Sequence, residues 1–359
     1  MSLYLEDLHV GRVIEGGSIR DVLAPGFGPE RFAELCAPAG RPGNFLCLPG
    51  CPPSEFVELA AFCCTTAASE NSPASLRTDG LAFRGRPDLG MTVTSRVIGR
   101  SYKSFDAPTA VVQVQSEVHG PSGGEPALSW KRQFIVPKRD RAWKPQESDL
   151  DTRVKSAPLD WSKCWLPSDD ELFAAAGETG LWAEDFAGGR TIESSQPFEM
   201  LSEPVIELTR GFGNKATVHY RKDAGYIVWG RLTHAFGFHL FGAELQRSHL
   251  LGYVEATHEN PVLLTAAVLA EDKRWPKGEP ADHLTATLTA GEHTELPGRR
   301  VDLVPLTMTI TSHVPPLGRE DYDSRNYPRV VQAIDLDEPV IIGRCTFMVA
   351  ALKRGTPGR

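Results

Sequence analysis

Imidazoles take and return protons at neutral pH more readily than any other side chain. Eight of the ten histidines fall in the second half of this chain, and four of these, His219, His234, His239 and His258, are candidates for chemistry. Asn214 lies five residues before His219. An amide cannot act as a base, but it can orient a water or an imidazole, or donate to a carbonyl oxygen. Arg41 and Arg231 carry planar forks that suit a carboxylate, with an ordinary surface or pocket-rim charge as the alternative. Lys131, Arg132, Lys138 and Arg139 form a basic run that suits phosphate, with a solvated strand end as the alternative. Gly230 opens an apolar stretch, 231–245, that reads as a helix. Its first N–H groups lie at the positive end of the helix dipole, where they can hold a developing oxyanion. On the residues alone, His219 is either a proton carrier or a partly buried strand histidine, His239 reads as core, and His258 is either functional or exposed.

Seven cysteines include Cys47 and Cys51 at metal-like spacing, but no second Cys or His pair follows at zinc-site distance. The reading is therefore one of reduced thiols, no metal and a cytoplasmic chain. The 359 residues are 41% hydrophobic and 23% charged, with a formal net charge of -8. That length suits two domains or one large one. The acidic balance argues against nucleic acid and against a polybasic membrane anchor. No apolar run is long enough to span a bilayer, and the first residues lack the pattern of a secretory signal.

Positioning such groups needs a scaffold, and an internal repeat supplies its outline. Glu6-Asp7-Leu8-His9-Val10-Gly11-Arg12-Val13-Ile14-Glu15 returns 178 residues later as Glu184-Asp185-Phe186-Ala187-Gly188-Gly189-Arg190-Thr191-Ile192-Glu193, with six of ten positions identical. Two copies so far apart indicate a duplicated domain, not a solenoid. The same offset carries residues 53–71, apolar nearly all round, onto 231–249, which have an equivalent stripe; both read as buried helices. After each helix the period changes to two, as in Val112, Val114, Val118 and in Leu306, Met308, Ile310, the pattern of a sheet with one face on a core. Residues 119–124 read as a hairpin turn into 126–137. Further strands are expected near 79–85, 91–103, 249–258, 262–272 and 340–352, with 273–300 as an insertion. The outcome is an α+β fold: a first module over 1–140, a linker over 141–180 and a second module over 181–359.

Several segments resemble the MaoC-type double-hotdog enzymes, particularly the mesaconyl-CoA (2-methylfumaryl-CoA) hydratase branch. They are Tyr4-Leu5-Glu6-Asp7-Leu8 with Val10-Gly11; Gly124-Glu125-Pro126-Ala127-Leu128-Ser129-Trp130-Lys131-Arg132; Val136-Pro137-Lys138-Arg139-Asp140; and Tyr327-Pro328-Arg329-Val330-Val331 with Asp335-Leu336-Asp337. The resemblance implies a double hotdog, in which each antiparallel sheet wraps a buried helix. Related double-hotdog thioesterases belong to the same comparison.

The family's active-site stretch pairs an Asp with a His five residues later. Gly213-Asn214-Lys215-Ala216-Thr217-Val218-His219 is similar to it, with Asn214 on the Asp position, and His258-Glu259-Asn260-Pro261 is similar to the branch's His-x-x-Pro turn. The resemblance therefore implies His219, Asn214 and His258 as catalytic residues. For such a substrate, the chemistry of the residues adds Gly230, Arg231, Lys131, Arg132 and the first-half Arg41 as substrate-binding candidates. The 178-residue offset sends Asn214 to Cys36 and His219 to Arg41, so one working site per chain is expected. The implied activity is hydration or dehydration of an α,β-unsaturated acyl thioester of CoA or an acyl carrier protein. A thioesterase, or one that first adds the glycine amine to the β-carbon, is the alternative, and a non-catalytic binding protein the third class. No cofactor is implied. Two fused modules permit a monomer (a pseudo-dimer) as well as a homodimer.

Overall fold

The computed structural model describes residues 3–36, 45–146, 151–200, 202–220, 227–260, 262, 283–313 and 339–355. Arg41, the segment 263–282 and the Tyr327–Asp337 motifs lie outside the described residues.

Period-two runs become strands. In chain order they are β1 (Val13–Ser18), β2 (Ser75–Phe83), β3 (Thr92–Tyr102), β4 (Thr109–His119), β5 (Leu128–Pro137), β6 (Thr191–Glu193), β7 (Phe198–Glu199), β8 (Ser248–His258), β9 (His283–Ala290), β10 (Thr294–Glu295), β11 (Val301–His313) and β12 (Val340–Leu352). The helices are α1 (Ile19–Val22), α2 (Pro29–Cys36), α3 (Ser54–Cys64), α4 (Thr66–Ser69), α5 (Asp169–Ala175), α6 (Ser202–Gly211) and α7 (Gly230–Leu240). All the strands join one sheet, whose main path runs β1-β3-β4-β5-β2-β8-β12-β11-β9-β6. From its centre the path meets β2, β5, β4, β3, β1 on one side and β8, β12, β11, β9, β6 on the other, the same connectivity twice.

The two halves join where β2 and β8 pair antiparallel. Thr78 lies opposite Ala256 there, and these two positions are themselves 178 residues apart, so the pseudo-two-fold axis passes between them. The repeated motif performs the same task in both halves. The Tyr4 and Trp182 amides donate to the Asp7 and Asp185 carboxylates, both at 3.0 Å. Arg12 donates to the Asp7 carbonyl and Arg190 to the Asp185 carbonyl. Arg139, just past β5, and Arg354, just past β12, close on Asp7 and Asp185 respectively. Their amides donate to Glu6 and Glu184. The motif recurs because each module must tie the end of its last strand to its first turn.

α3 and α7 are buried along nearly their whole lengths, as all-round apolar sequences require. Both are shorter than the periodicity suggested. The run 53–71 breaks at Thr65, whose hydroxyl donates to the Phe62 carbonyl at 2.7 Å and competes with the helical ladder. α7 stops at Leu240, and the chain turns through 241–247 into β8. The expected insertion over 273–300 is corrected in part: it contains β9, whose alternating Leu284, Ala286, Leu288 and Ala290 face the core. The charge in its flanks hid that strand. Among the described residues no helix is long and apolar enough to cross a membrane.

Candidate active site

Glycine sets the approach to the first imidazole. Gly213 has φ +63°, and a Cβ there would come within 2.1 Å of the Val22 carbonyl oxygen, so only glycine fits against α1. The next residue, Asn214, is buried, and its side-chain oxygen accepts the Ala216 amide at 3.0 Å, an Asx turn. The Asn214 carbonyl accepts the Tyr220 hydroxyl at 2.6 Å. Asn214 thus shapes the 3-10 turn Thr217–Tyr220 on which His219 sits.

His219 Nδ1 lies 2.7 Å from the Ile227 carbonyl oxygen. A carbonyl can only accept, so Nδ1 carries the hydrogen and Nε2 keeps a lone pair. Loss of solvent lowers its pKa to about 4, and the nearby positive charge of Arg132 acts in the same direction. The resting imidazole is neutral.

His258 ends β8 and packs on the start of α7. A Cβ on Gly230 would reach within 2.5 Å of His258 Nδ1, so the absence of a side chain at Gly230 makes room for the ring. Burial, with Arg231 and Arg132 nearby, lowers the His258 pKa to about 3. Its Nε2 is buried with no hydrogen-bond partner among the described residues. The His234 ring lies 4.7 Å away, centroid to centroid. His219 and His258 therefore flank the entry to α7, one through Ile227 and one through Gly230.

The arginines depart from expectation. Arg231 is not a rim residue: it is 2% exposed and ion-paired to Glu58 of α3 in the first module. It also packs over the Tyr253 and Phe62 rings, with centroids at 4.7 and 5.2 Å. Tyr253 donates to the same Glu58 carboxylate at 2.6 Å. Nor does the basic run form one phosphate face. Lys138 is buried and donates to the Phe105 carbonyl at 2.9 Å, and Arg139 is committed to Asp7. Lys131 reaches the Lys155 carbonyl at 3.3 Å on the outer side. Arg132 points inward. The structure thus brings together His219, His258, Gly230, Arg231 and Arg132, sets Asn214 behind His219, and keeps Lys131 apart.

Glu58 and Tyr253 went unrecognised in the sequence. Two glutamates inside the otherwise apolar α3, Glu55 and Glu58, were the available signal, since buried carboxylates need partners. The inward phase of Arg132 was legible too, because it alternates with Leu128, Trp130, Phe134 and Val136. An open groove of about 840 Å³ between α2 and α6 holds none of these groups; its lining includes Phe27, Arg31, Glu207 and Arg210. Among the described residues no group of three or more His, Cys, Asp or Glu side chains could hold a metal ion.

No family model and no curated protein matches the chain. Solved structures do. A MaoC domain protein dehydratase from Chloroflexus aurantiacus superposes with a TM-score of 0.73 at 20% identity, over 99% of this chain and 98% of its own. A conserved Mycobacterium tuberculosis protein described as having a double hotdog fold gives 0.60 at 18% identity, over 97% of this chain and 98% of its own. The fold is a double hotdog. A further MaoC-like dehydratase gives 0.54 at 10% identity, covering 96% of this chain and 98% of that one. Two of these three neighbours carry the name of MaoC-type dehydratases, the family whose motifs the chain resembles. At these identities the likeness is one of fold.

Proposed function

We propose that this double hotdog adds water to, or eliminates it from, an α,β-unsaturated acyl thioester carried by CoA or an acyl carrier protein. One observation carries the reading: a neutral imidazole, His219, keeps its Nε2 lone pair beside the entry to a buried helix whose N-terminus can bind an oxyanion. Conjugate addition needs both. The thioester oxygen takes up charge as water attacks the β-carbon, and N–H groups at the start of α7, around Gly230 and Arg231, stabilise it. Contacts of this kind contribute about 3–4 kcal/mol to the transition state. His219 Nε2 accepts the proton of the attacking water and returns it to the α-carbon. Asn214 positions that imidazole through the turn, and His258 lines the same approach. Residues 1–140 supply the first module and 181–359 the one bearing the imidazole, with the protein acting as a monomer or a homodimer.

The test uses crotonyl thioesters, with and without glycine, following enoyl absorbance and released thiol together. Loss of absorbance without thiol is expected, and His219→Ala should lower the rate by about 10²–10⁴-fold in a folded protein. Thiol release would make the protein a thioesterase, glycine dependence an amine-adding one, and a fully active His219→Ala would remove the imidazole from the mechanism.

A further inference from the structure

Arg132 is 7% exposed and sits in the middle of the inward stripe of β5, between Trp130 and Phe134. Its Nε donates to the Ser75 hydroxyl at 3.3 Å, and the guanidinium packs over the Phe134 and Phe62 rings with centroids at 5.0 and 5.5 Å. No carboxylate among the described residues balances its charge. The titratable groups that act on it are Cys63 and Arg231. Burial holds the Cys63 thiol protonated, so it offers no anion. Arg231 is another cation, already matched by Glu58. A buried guanidinium without a counter-charge is rare, because removing an ion from water is expensive unless another charge meets it.

Its neighbours are donors without acceptors. Thr78 lies directly across the strand pair from Arg132, and its buried hydroxyl has no partner among the described residues. Trp130, two positions along on the same face, has a buried ring N–H in the same state. The row continues from Thr78 to Ala256, and His258 lies two residues beyond on that face of β8. Arg132 also acts electrostatically on both His219 and His258. The position related to Arg132 by the pseudo-two-fold is Cys345, which lies opposite Ala256 as Arg132 lies opposite Thr78. The charge therefore exists on one side only, the side facing the working imidazoles.

We infer that Arg132, Thr78 and Trp130 form a carboxylate cradle that the first module contributes to the site. The occupant must carry a full negative charge before reaction. A thioester oxygen is neutral until attack, and it is met by α7. The CoA phosphates are separated from the thioester by the whole pantetheine arm, whereas Arg132 lies on the row through Thr78 and Ala256 that leads to His258. The carboxylate belongs either to the far end of the acyl group or to an amino-acid nucleophile. This rests on the thioester reading of the site.

The test separates the two sources without turnover. Titration calorimetry would compare butyryl-pantetheine with succinyl-pantetheine, then glycine with ethylamine on the butyryl-loaded protein. A charge-assisted contact predicts that one carboxylate arm binds about 10–100-fold tighter than its neutral counterpart. Arg132→Gln and Arg132→Met should abolish that difference and should raise the Tm of the unliganded protein. Preference for succinyl-pantetheine assigns the carboxylate to the acyl group, and preference for glycine assigns it to the nucleophile. No preference in either arm overturns the cradle. If no thioester binds, a thermal shift by succinate or glycine that is lost in Arg132→Gln sustains the cradle and removes the thioester reading; no shift overturns both.

Discussion

Glu58 of the first module and Arg231 of the second form an ion pair between the two central helices, with both side chains almost wholly shielded from water. Tyr253 donates to the other carboxylate oxygen, so Glu58 meets two partners from the opposite half. Desolvation raises the Glu58 pKa, and Arg231 and Tyr253 counter it. The fork whose planar geometry suits a substrate carboxylate is thereby used to hold the halves together.

Removing one partner of such a pair strands the other charge. Glu58→Gln is expected to destabilise the protein by about 3–5 kcal/mol. The double variant Glu58→Gln/Arg231→Met should recover much of the loss. Urea unfolding of the single and double variants measures both, and an additive double variant would show that the two side chains are not coupled.

Gly230→Ala places a methyl group into the space of the His258 ring. A stability loss of about 1–3 kcal/mol is expected from overpacking. Catalysis should fall further than stability, because the displaced ring stands at the mouth of α7. Thermal melts and kcat/KM on the same preparation check the difference, and unchanged kcat/KM would place His258 outside the site.

Asn214→Ala removes the acceptor of the turn that carries His219, with an expected loss of about 1 kcal/mol. Asn214→Asp retains an acceptor for the Ala216 amide. It should therefore keep more activity than the alanine variant. Equal activity in the two would show that the turn does not position the imidazole.

Acid should unfold this protein early. His219 and His249 are lowered to about 4, and His239 and His258 to about 3, in each case mainly by burial. Each titrates near its usual value once unfolded, so below about pH 6.5 the unfolded chain binds protons that the folded chain refuses. Stability is fully present above that pH and is lost as pH falls toward the folded values. Each such histidine contributes a slope of up to about 1.4 kcal/mol per pH unit. Melts from pH 7 to 5 should show Tm falling steeply while salt is held constant. The same pKa values predict a kcat/KM profile without an inflection near 6.5; an inflection there would mean that His219 is not desolvated in the working enzyme.

The duplication, the buried helices and most of the long strands were legible in the sequence, because each rests on local period or on near-identity at a constant offset. The His219 turn was legible through motif likeness and through Gly213-Asn214, a pair suited to a tight turn. Strand β9 was not, because its flanks carry the Pro, Gly and charge of a loop. The destinations of Arg132 and Arg231 were not read correctly either. Residue type alone suits both to a substrate anion or to exposed charge, although the alternation along β5 points Arg132 inward.

Short-range patterning is enough to specify two copies of one module, a helix to be enclosed in each, and an imidazole on a tight turn. Which charges meet is settled by packing between distant segments. Ion pairing depends on distance and local dielectric, and Glu58 and Arg231 lie 173 residues apart along the chain. Their neutralisation, and the lack of any such partner for Arg132 among the described residues, arise where β2 meets β8 and α3 meets α7, contacts that no local pattern encodes.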